Sequence, residues 1–331
     1  MRYRALGASG LQVSALALGT MSFGARTSPA EAARMVDRAR DSGVNFIDTA
    51  DVNADGESER LIGRLIRDDR HRWIVATKFG NRLKPGANRV GQGRKWMIDA
   101  VEGSLGRLAV DVIDLYYVDA DDGETPVEET AWTMGRLVEI GHIRHWGLSN
   151  FAGWRIGEII AACDRLGVPR PISGQPCYNA ATRLAEVEYL PACRHFGLGV
   201  VCYSPLARGV LTAKYTPGKT PPPGSRAARR DKRLVETEFR PESLGLAEQI
   251  RARAERRGIT AGQFALAWVL NNALVAAAVA GPRTLDQWRD YLGALDVRID
   301  ADDEAFVDGL VPPGAASTPG YNDPRYPIVG R

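Results

Sequence analysis

Eight short apolar runs punctuate the chain, and each ends in glycine or a polar residue: LALGT, NFIDTA, WIVATKF, VIDLYYVD, IRHWGLSN, ISGQPCYN, GVVCYSP and VAAAVAG. Their hydrophobicity is continuous rather than alternating, which marks strands buried on both faces. Between them lie amphipathic stretches with readable ends. SPAEAARMVDRARDSG offers Ser28 as N-cap, Pro29 at N1, Glu31 at N3 and Gly43 as terminator. TPVEETAWTMGRLVEIG repeats the signature with Thr125, Pro126, Glu128 and Gly141. Such alternation predicts parallel strands joined by right-handed crossovers, and eight units close into an α/β fold, a (β/α)8 TIM barrel. A doubly wound open sheet is the alternative, weakened because no G-x-G-x-x-G follows the first run.

The 331 residues would fill two domains at about 150 residues each. α/β barrels use this length as one unit, so a single domain over residues 1–331 is expected. Residues 1–14 read as a hairpin turning between Gly7 and Gly10 over one barrel end. Residues 214–241, rich in Pro and Arg, are too long for an ordinary connection and read as a functional surface loop. The Pro-containing tail, residues 312–331, should lie extended on the surface.

Composition narrows the function. A chain 44% hydrophobic and 25% charged is an ordinary globular protein, and disorder is excluded. The net charge of +3 comes from scattered Arg, so nucleic acid is not an expected partner. No run approaches the ~18 apolar residues that span a bilayer, and the first residues lack a signal-peptide core. A cytoplasmic protein that is monomeric or a weak homo-oligomer, without membrane attachment, is expected. Cys163, Cys177, Cys193 and Cys202 show no C-x-x-C spacing and read as reduced thiols. The four histidines form no ligand pair, so no metal is expected.

In a barrel the strand ends gather at one mouth, and that mouth carries the site. The ends here are Gly19, Thr20 and Met21; Asp48 and Thr49; Lys78; Asp119; Ser149 and Asn150; Gln175; Tyr203, Ser204 and Pro205; and Gly281. A lysine flanked by carboxylates beside amide and hydroxyl groups is a candidate reaction centre.

The segments LGASGLQVSALALGT, FIDTAD, GESERLIG, ATKFG, GLSNF, QPCYN, YSPLARGVLTAKY and AGPRTLDQW, in this order, resemble the aldo-keto reductase superfamily over nearly the whole chain. The resemblance implies a (β/α)8 barrel that binds NADPH in an extended pose and acts on a small-molecule substrate. It places Gly19, Thr20 and Met21 beside the cofactor and gives Ser149, Asn150 and Gln175 to the nicotinamide carboxamide. Amide side chains, with donor and acceptor edges, match that group. Tyr203 would stack on the nicotinamide ring, and Ser204, Pro205, Leu206 and Arg208 would follow the pyrophosphate. Gly281 and Arg283 would meet the 2′-phosphate at the start of the last barrel helix, and Gln287 the adenine. Tyr291 stands where the family has an Asn.

The family's catalytic tetrad is Asp, Tyr, Lys and His. Asp48 and Lys78 match it, but Asn53 replaces the tyrosine and Asp119 the histidine. Carbonyl reduction needs a proton for the nascent alkoxide, and an Asn amide cannot release one near neutrality. Asp119 is expected to share the Lys78 ammonium with Asp48. Three readings follow: an NADPH oxidoreductase reducing a specialised C=O, C=C or C=N substrate; a non-redox dehydratase, isomerase or epimerase using Asp48, Lys78 and Asp119; or a catalytically silent NADPH-binding protein. The nearly intact cofactor motifs favour the first, and the altered tetrad suggests specialised metabolism.

Overall fold

All eight apolar runs become strands of one closed parallel barrel. The computed structural model describes residues 1–81, 86 and 88–326. An antiparallel hairpin, β1 (Tyr3–Ala5) and β2 (Gln12–Ser14), precedes the barrel strands. These are β3 (Leu16–Gly19), β4 (Phe46–Asp48), β5 (Ile74–Phe79), β6 (Ile113–Val118), β7 (Ile143–Ser149), β8 (Ser173–Gln175), β9 (Gly199–Cys202) and β10 (Val275–Ala280). They pair in chain order, and β10 closes on β3. The helices are α1 (Pro29–Asp41), α2 (Glu57–Leu65), α3 (Arg94–Leu108), α4 (Val127–Glu139), α5 (Gly153–Leu166), α6 (Tyr189–Phe196), α7 (Lys232–Thr237), α8 (Pro241–Arg256), α9 (Ala261–Asn271), α10 (Leu285–Gly293) and α11 (Ala301–Leu310). The fold is a (β/α)8 barrel with an N-terminal hairpin.

By contacts the chain divides into two compact units. The first, Met1–Pro176, Glu188–Cys202 and Leu274–Arg289, carries every strand. Its interior packs Ala17, Phe46, Ile74, Ala76, Leu115, Tyr117, Val201 and Ala277 with Leu6 and Val13 of the hairpin segment. The hairpin is tied to the strand starts: Ala8 N–H donates to Gly197 O at 2.7 Å, and Arg4 Nη1 donates to Val275 O. Gly7, at φ 59°, sits where a Cβ would lie 2.3 Å from Ile172 O, so the approach admits only glycine.

Helix ends follow the sequence signals with two differences. Ser28 caps α1, its Oγ accepting from Glu31 N–H at 3.2 Å, but the Glu31 carboxylate accepts from Leu285 N–H at 2.6 Å instead of returning to the cap. Thr125 does not cap α4. Its N–H and hydroxyl donate to the Asp122 carboxylate at 2.9 and 2.7 Å, which moves the N-cap on to Pro126.

The second unit comprises Cys177–Val187, Tyr203–Ala273 and Asp290–Arg331. Its centre is Arg183, which donates to Glu186 (3.0 Å), Asp308 (2.6 Å) and Val311 O (2.8 Å), with its guanidinium 5.1 Å from the Trp268 ring. Residues 214–241 are more ordered than a solvated loop: they include α7, capped by Asp231, and Arg233 forms a two-pronged pair with Asp323 at 3.0 and 2.6 Å. That pair and the Arg240 guanidinium, 3.7 Å over Tyr321, pin the tail, whose residues 327–331 lie outside the described residues. No helix among the described residues is long and apolar enough to cross a membrane.

Gly63 lets α2 lie against α3: a Cβ there would fall 2.0 Å from Leu108 O, a backbone atom that cannot swing aside. Gly63→Ala should therefore destabilise the fold by ~1–3 kcal/mol. Urea denaturation checks this, and unchanged stability would mean that the two helices separate at no cost.

Candidate active site

Strand parity decides which side chains reach the barrel interior. Phe46, Ile74, Ala76, Leu115 and Tyr117 face the core, so Asp48, Lys78 and Asp119, two residues further along their chains, share that parity. Asp48 and Lys78 are both nearly buried, with side chains 8% and 9% exposed. Lys78 Nζ donates to Asp48 Oδ1 at 2.5 Å and to Thr49 O at 2.8 Å. Gln175 Nε2 donates to Asp48 Oδ2 at 2.9 Å, so one carboxylate joins β4, β5 and β8. Two of the three ammonium donors are spent, and the third has no acceptor among the described residues. Tyr117 lies beneath, its ring 5.7 Å from Lys78 Nζ and its hydroxyl 2.7 Å from Ser173 Oγ. Burial drives this phenol far above its ordinary range and removes it as an acid.

The expected sharing of Lys78 with Asp119 is not formed. The ammonium turns toward β4, and the Asp119 carboxylate instead accepts from Asn81 Nδ2. Asn81 was not singled out by the sequence, where it is only the polar residue closing KFGN. Asn150, in the left-handed region at φ 57°, donates to Asp119 O at 2.8 Å and to Ser149 Oγ at 3.0 Å. Ser149 Oγ donates in turn to Gln175 O at 2.9 Å. Asp48, Lys78, Asp119, Ser149, Asn150 and Gln175 are thus gathered by two hydrogen-bonded groups.

Asn53 opens a 3₁₀ turn, Asn53–Gly56, its N–H donating to Ala50 O at 3.1 Å. Its side chain makes no hydrogen bond among the described residues. Ala54 and Asp55 follow at φ 50° and 54°, a conformation costing ~1 kcal/mol or more for each non-glycine residue. The turn holds its strain in the two residues after Asn53.

Other predicted residues are placed as follows. Gly19 ends β3, where a Cβ would lie 2.8 Å from Val279 Cγ1; Thr20 N–H donates to Asp48 O at 3.0 Å, and Met21 is exposed. Gly281 follows β10, and Gln287 Oε1 accepts from Arg283 N–H at 2.9 Å. With Glu31 on Leu285 N–H, the start of α10 already carries one carboxylate. In the second unit, Tyr203, Ser204, Pro205, Leu206 and Arg208 lie on one strained turn. Ser204 (φ 53°), Ala207 (φ 47°), Arg208 (φ 52°) and Gly209 (φ 94°) are all left-handed. Asn179 Nδ2 donates to Ser204 O at 3.0 Å, and Arg208 Nε to Thr237 Oγ1 at 3.1 Å. Within the turn Ala207 N–H donates to Ser204 O at 2.9 Å and Gly209 N–H to Leu206 O at 2.8 Å.

One titratable group was not singled out by the sequence. Burial, with the Glu59 carboxylate beside it, raises Asp51 to about 8.

Residues 15–312 match the model of the Aldo/keto reductase family. The chain is 35% identical over 304 residues to a probable voltage-gated potassium channel subunit beta of Arabidopsis thaliana, covering 90% of this chain and 92% of that one. A protein of the same description from Oryza sativa subsp. japonica is 36% identical with the same coverage. The uncharacterized oxidoreductase YrpG of Bacillus subtilis is 33% identical, with 96% of this chain and 98% of that one covered.

Asp48→Ala strands the buried Lys78 ammonium and should cost ~3–5 kcal/mol, most of it recovered by adding Lys78→Met. Urea denaturation of the single and double variants measures both. A pH dependence follows from Asp51. The unfolded carboxyl ionises near ~4, whereas the folded one keeps its proton to about 8. The unfolded state loses its proton first, so this group lowers stability as pH rises through that window and is level above it. Asp51→Asn should flatten that part of the stability–pH curve.

Proposed function

The chain belongs to the aldo/keto reductase family, and from that premise we propose that it is an NADPH-dependent oxidoreductase reducing a specialised small-molecule C=O, C=C or C=N bond. The observation that carries this reading is the bonded set Asp48, Lys78 and Gln175, in which the ammonium keeps one N–H for a ligand. NADPH, when bound, supplies the hydride. Gln175, its Nε2 taken by Asp48, would hold the carboxamide through Oε1, beside Ser149 and Asn150. The turn carrying Ser204 to Arg208 would hold the pyrophosphate, and Arg283 the 2′-phosphate. Asp48 holds and orients the Lys78 side chain. Lys78 polarises the substrate's acceptor atom, Asn53 donates a hydrogen bond without losing a proton, and Asp119 is the titratable group left at the mouth. We place the reaction in the cytoplasm, carried out by a monomer or weak homo-oligomer.

A non-redox use of Asp48, Lys78 and Asp119 is less well supported, because Lys78 is bonded on the Asp48 side alone. A silent, cofactor-binding role is favoured by the description of the two plant relatives as channel subunits and by the two tetrad replacements. NADPH binding followed by fluorescence, with turnover on ketone, enone and imine panels, separates these. Binding with turnover supports the oxidoreductase, and binding without it on any panel favours the silent role.

Arg283→Ala should weaken NADPH ~10–100-fold, the value of one charge-assisted contact, and barely change NADH. Glu31→Gln should act the other way, tightening NADPH up to ~5-fold by removing a charge from the α10 start. Equal affinities for the two cofactors in the unmodified protein would sink the assignment of Arg283. Simple aldehydes should turn over ~10²–10⁴-fold more slowly than with a full tetrad. Asn53→Tyr combined with Asp119→His should raise that activity, and Asn53→Tyr alone should do less. A double variant that binds NADPH normally without gaining aldehyde turnover would show that these positions do not replace the tyrosine and histidine.

A further inference from the structure

On the turn assigned to the pyrophosphate, the Arg208 side chain is held by one edge. Its Nε donates to Thr237 Oγ1 at 3.1 Å, and its Nη1 and Nη2 have no hydrogen-bond partner among the described residues. A guanidinium fixed at Nε presents its two Nη donors in a set direction, which suits two oxygens of a phosphate. Two of the turn's own N–H groups, those of Ala207 and Gly209, are spent within it, so this side chain carries much of the turn's attraction for an anion. Thr237 ends α7. It accepts from Arg208 while its own hydroxyl hydrogen goes to Arg233 O, one turn back on the same helix. Whatever fixes Thr237 therefore aims Arg208.

α7 has six residues, too few to persist as a helix without tertiary contacts. Asp231 caps it, accepting from Leu234 N–H at 3.1 Å, and the Leu234 side chain is fully buried. A third hold is Arg233, whose Nη1 and Nη2 donate to Asp323 Oδ1 and Oδ2 at 3.0 and 2.6 Å. Glu236, on the helix itself, is reached by Nη1 only at 3.4 Å, so the tail carboxylate is the stronger partner. Asp323 is in turn fixed by Arg325 N–H, which donates to Oδ1 at 2.9 Å. The tail before it is tied down by Ser317 N–H on Ala181 O at 2.9 Å and by the Thr318 hydroxyl on Glu242 Oε2 at 3.0 Å. One series of bonds thus runs within the second unit from tail to turn: Asp323, Arg233, Thr237, Arg208. We propose that Asp323 is a positioning residue for the cofactor: through Arg233 and Thr237 it holds Arg208 at the angle that meets the pyrophosphate of a dinucleotide. The proposal rests on the oxidoreductase reading for the identity of that ligand. An amide at position 323 keeps the shape and loses the charge. Arg208 would then have to be ordered at the moment of binding, which weakens the complex.

Binding of NADPH and of NADH to the full chain, followed by fluorescence, tests this. Asp323→Asn should weaken both ~2–5-fold, the range of a partly exposed ion pair, whereas loss of a 2′-phosphate contact affects NADPH alone. Arg208→Ala should weaken both ~10–100-fold. Adding Asp323→Asn to Arg208→Ala should change nothing further, because the tail then has no guanidinium to aim. A merely structural tail would weaken both backgrounds by the same factor. Asp323→Lys sets a cation against Arg233 and should weaken binding more than Asp323→Asn does. Adding Arg233→Glu to it reverses the pair and should recover that loss, which keeps the test open if a single variant folds poorly. Equal losses in the two backgrounds, or no recovery in the reversed pair, would overturn the proposal. Normal binding of both cofactors by Asp323→Asn sinks the proposal alone, whereas binding of neither by the unmodified chain sinks the oxidoreductase reading with it.

Discussion

A buried ion pair between adjacent strands organises the mouth of this barrel. Lys78 and Asp48 are withdrawn from water, and such a pair survives only when the remaining donors and acceptors are also satisfied. Thr49 O takes a second ammonium proton, and the Gln175 amide takes the second carboxylate oxygen. Those bonds join β4, β5 and β8, so the requirement to satisfy one buried charge pair also sets where the amide of Gln175 stands. Ser149 and Asn150 follow from it through their bonds to Gln175 O and Asp119 O.

The alternation of side chains along β5 gives the wall two faces with separate electrostatics. Lys78 points inward to Asp48. Its neighbour Thr77 points outward to Glu59, which holds Arg107. Each face carries one carboxylate bonded to one cation. Asp51 belongs to neither pair, and the charges acting on it are those of Glu59, Arg107 and Asp119.

Left-handed backbone occurs in each of the two units. Ala54 and Asp55 are left-handed beside Asn53, Asn150 is left-handed at the end of β7, and Ser204, Ala207 and Arg208 are left-handed in the second unit. Backbone strain of this kind persists where surrounding contacts over-determine it, and it clusters at sites that bind or react. Left-handed residues also occur away from these segments, at Asn88, Ala109, Ala213 and Arg230.

The sequence by itself determined the barrel, because eight doubly buried strands have few other ways to hide both faces, and local signals such as Ser28 or Gly43 punctuated it. It also placed Asp48, Lys78 and Asp119 at strand ends, since strand ends are countable along the chain, whereas Asn53 came only from the family resemblance. What it left open were pairings between segments far apart: Lys78 with Asp48 rather than Asp119, Asn81 with Asp119, and Glu31 with the start of α10. Thr125 failed as a cap because Asp122 competed for its donors, a choice made by loop geometry. Asp51 carried no signal at all. Its character depends on Glu59, Asp119 and the loss of water, and these come together only when α2, α3 and β6 pack around it. Periodicity reports which face a residue shows. Only tertiary packing decides which charges share that face, because electrostatic energy depends on distance and burial rather than on position along the chain.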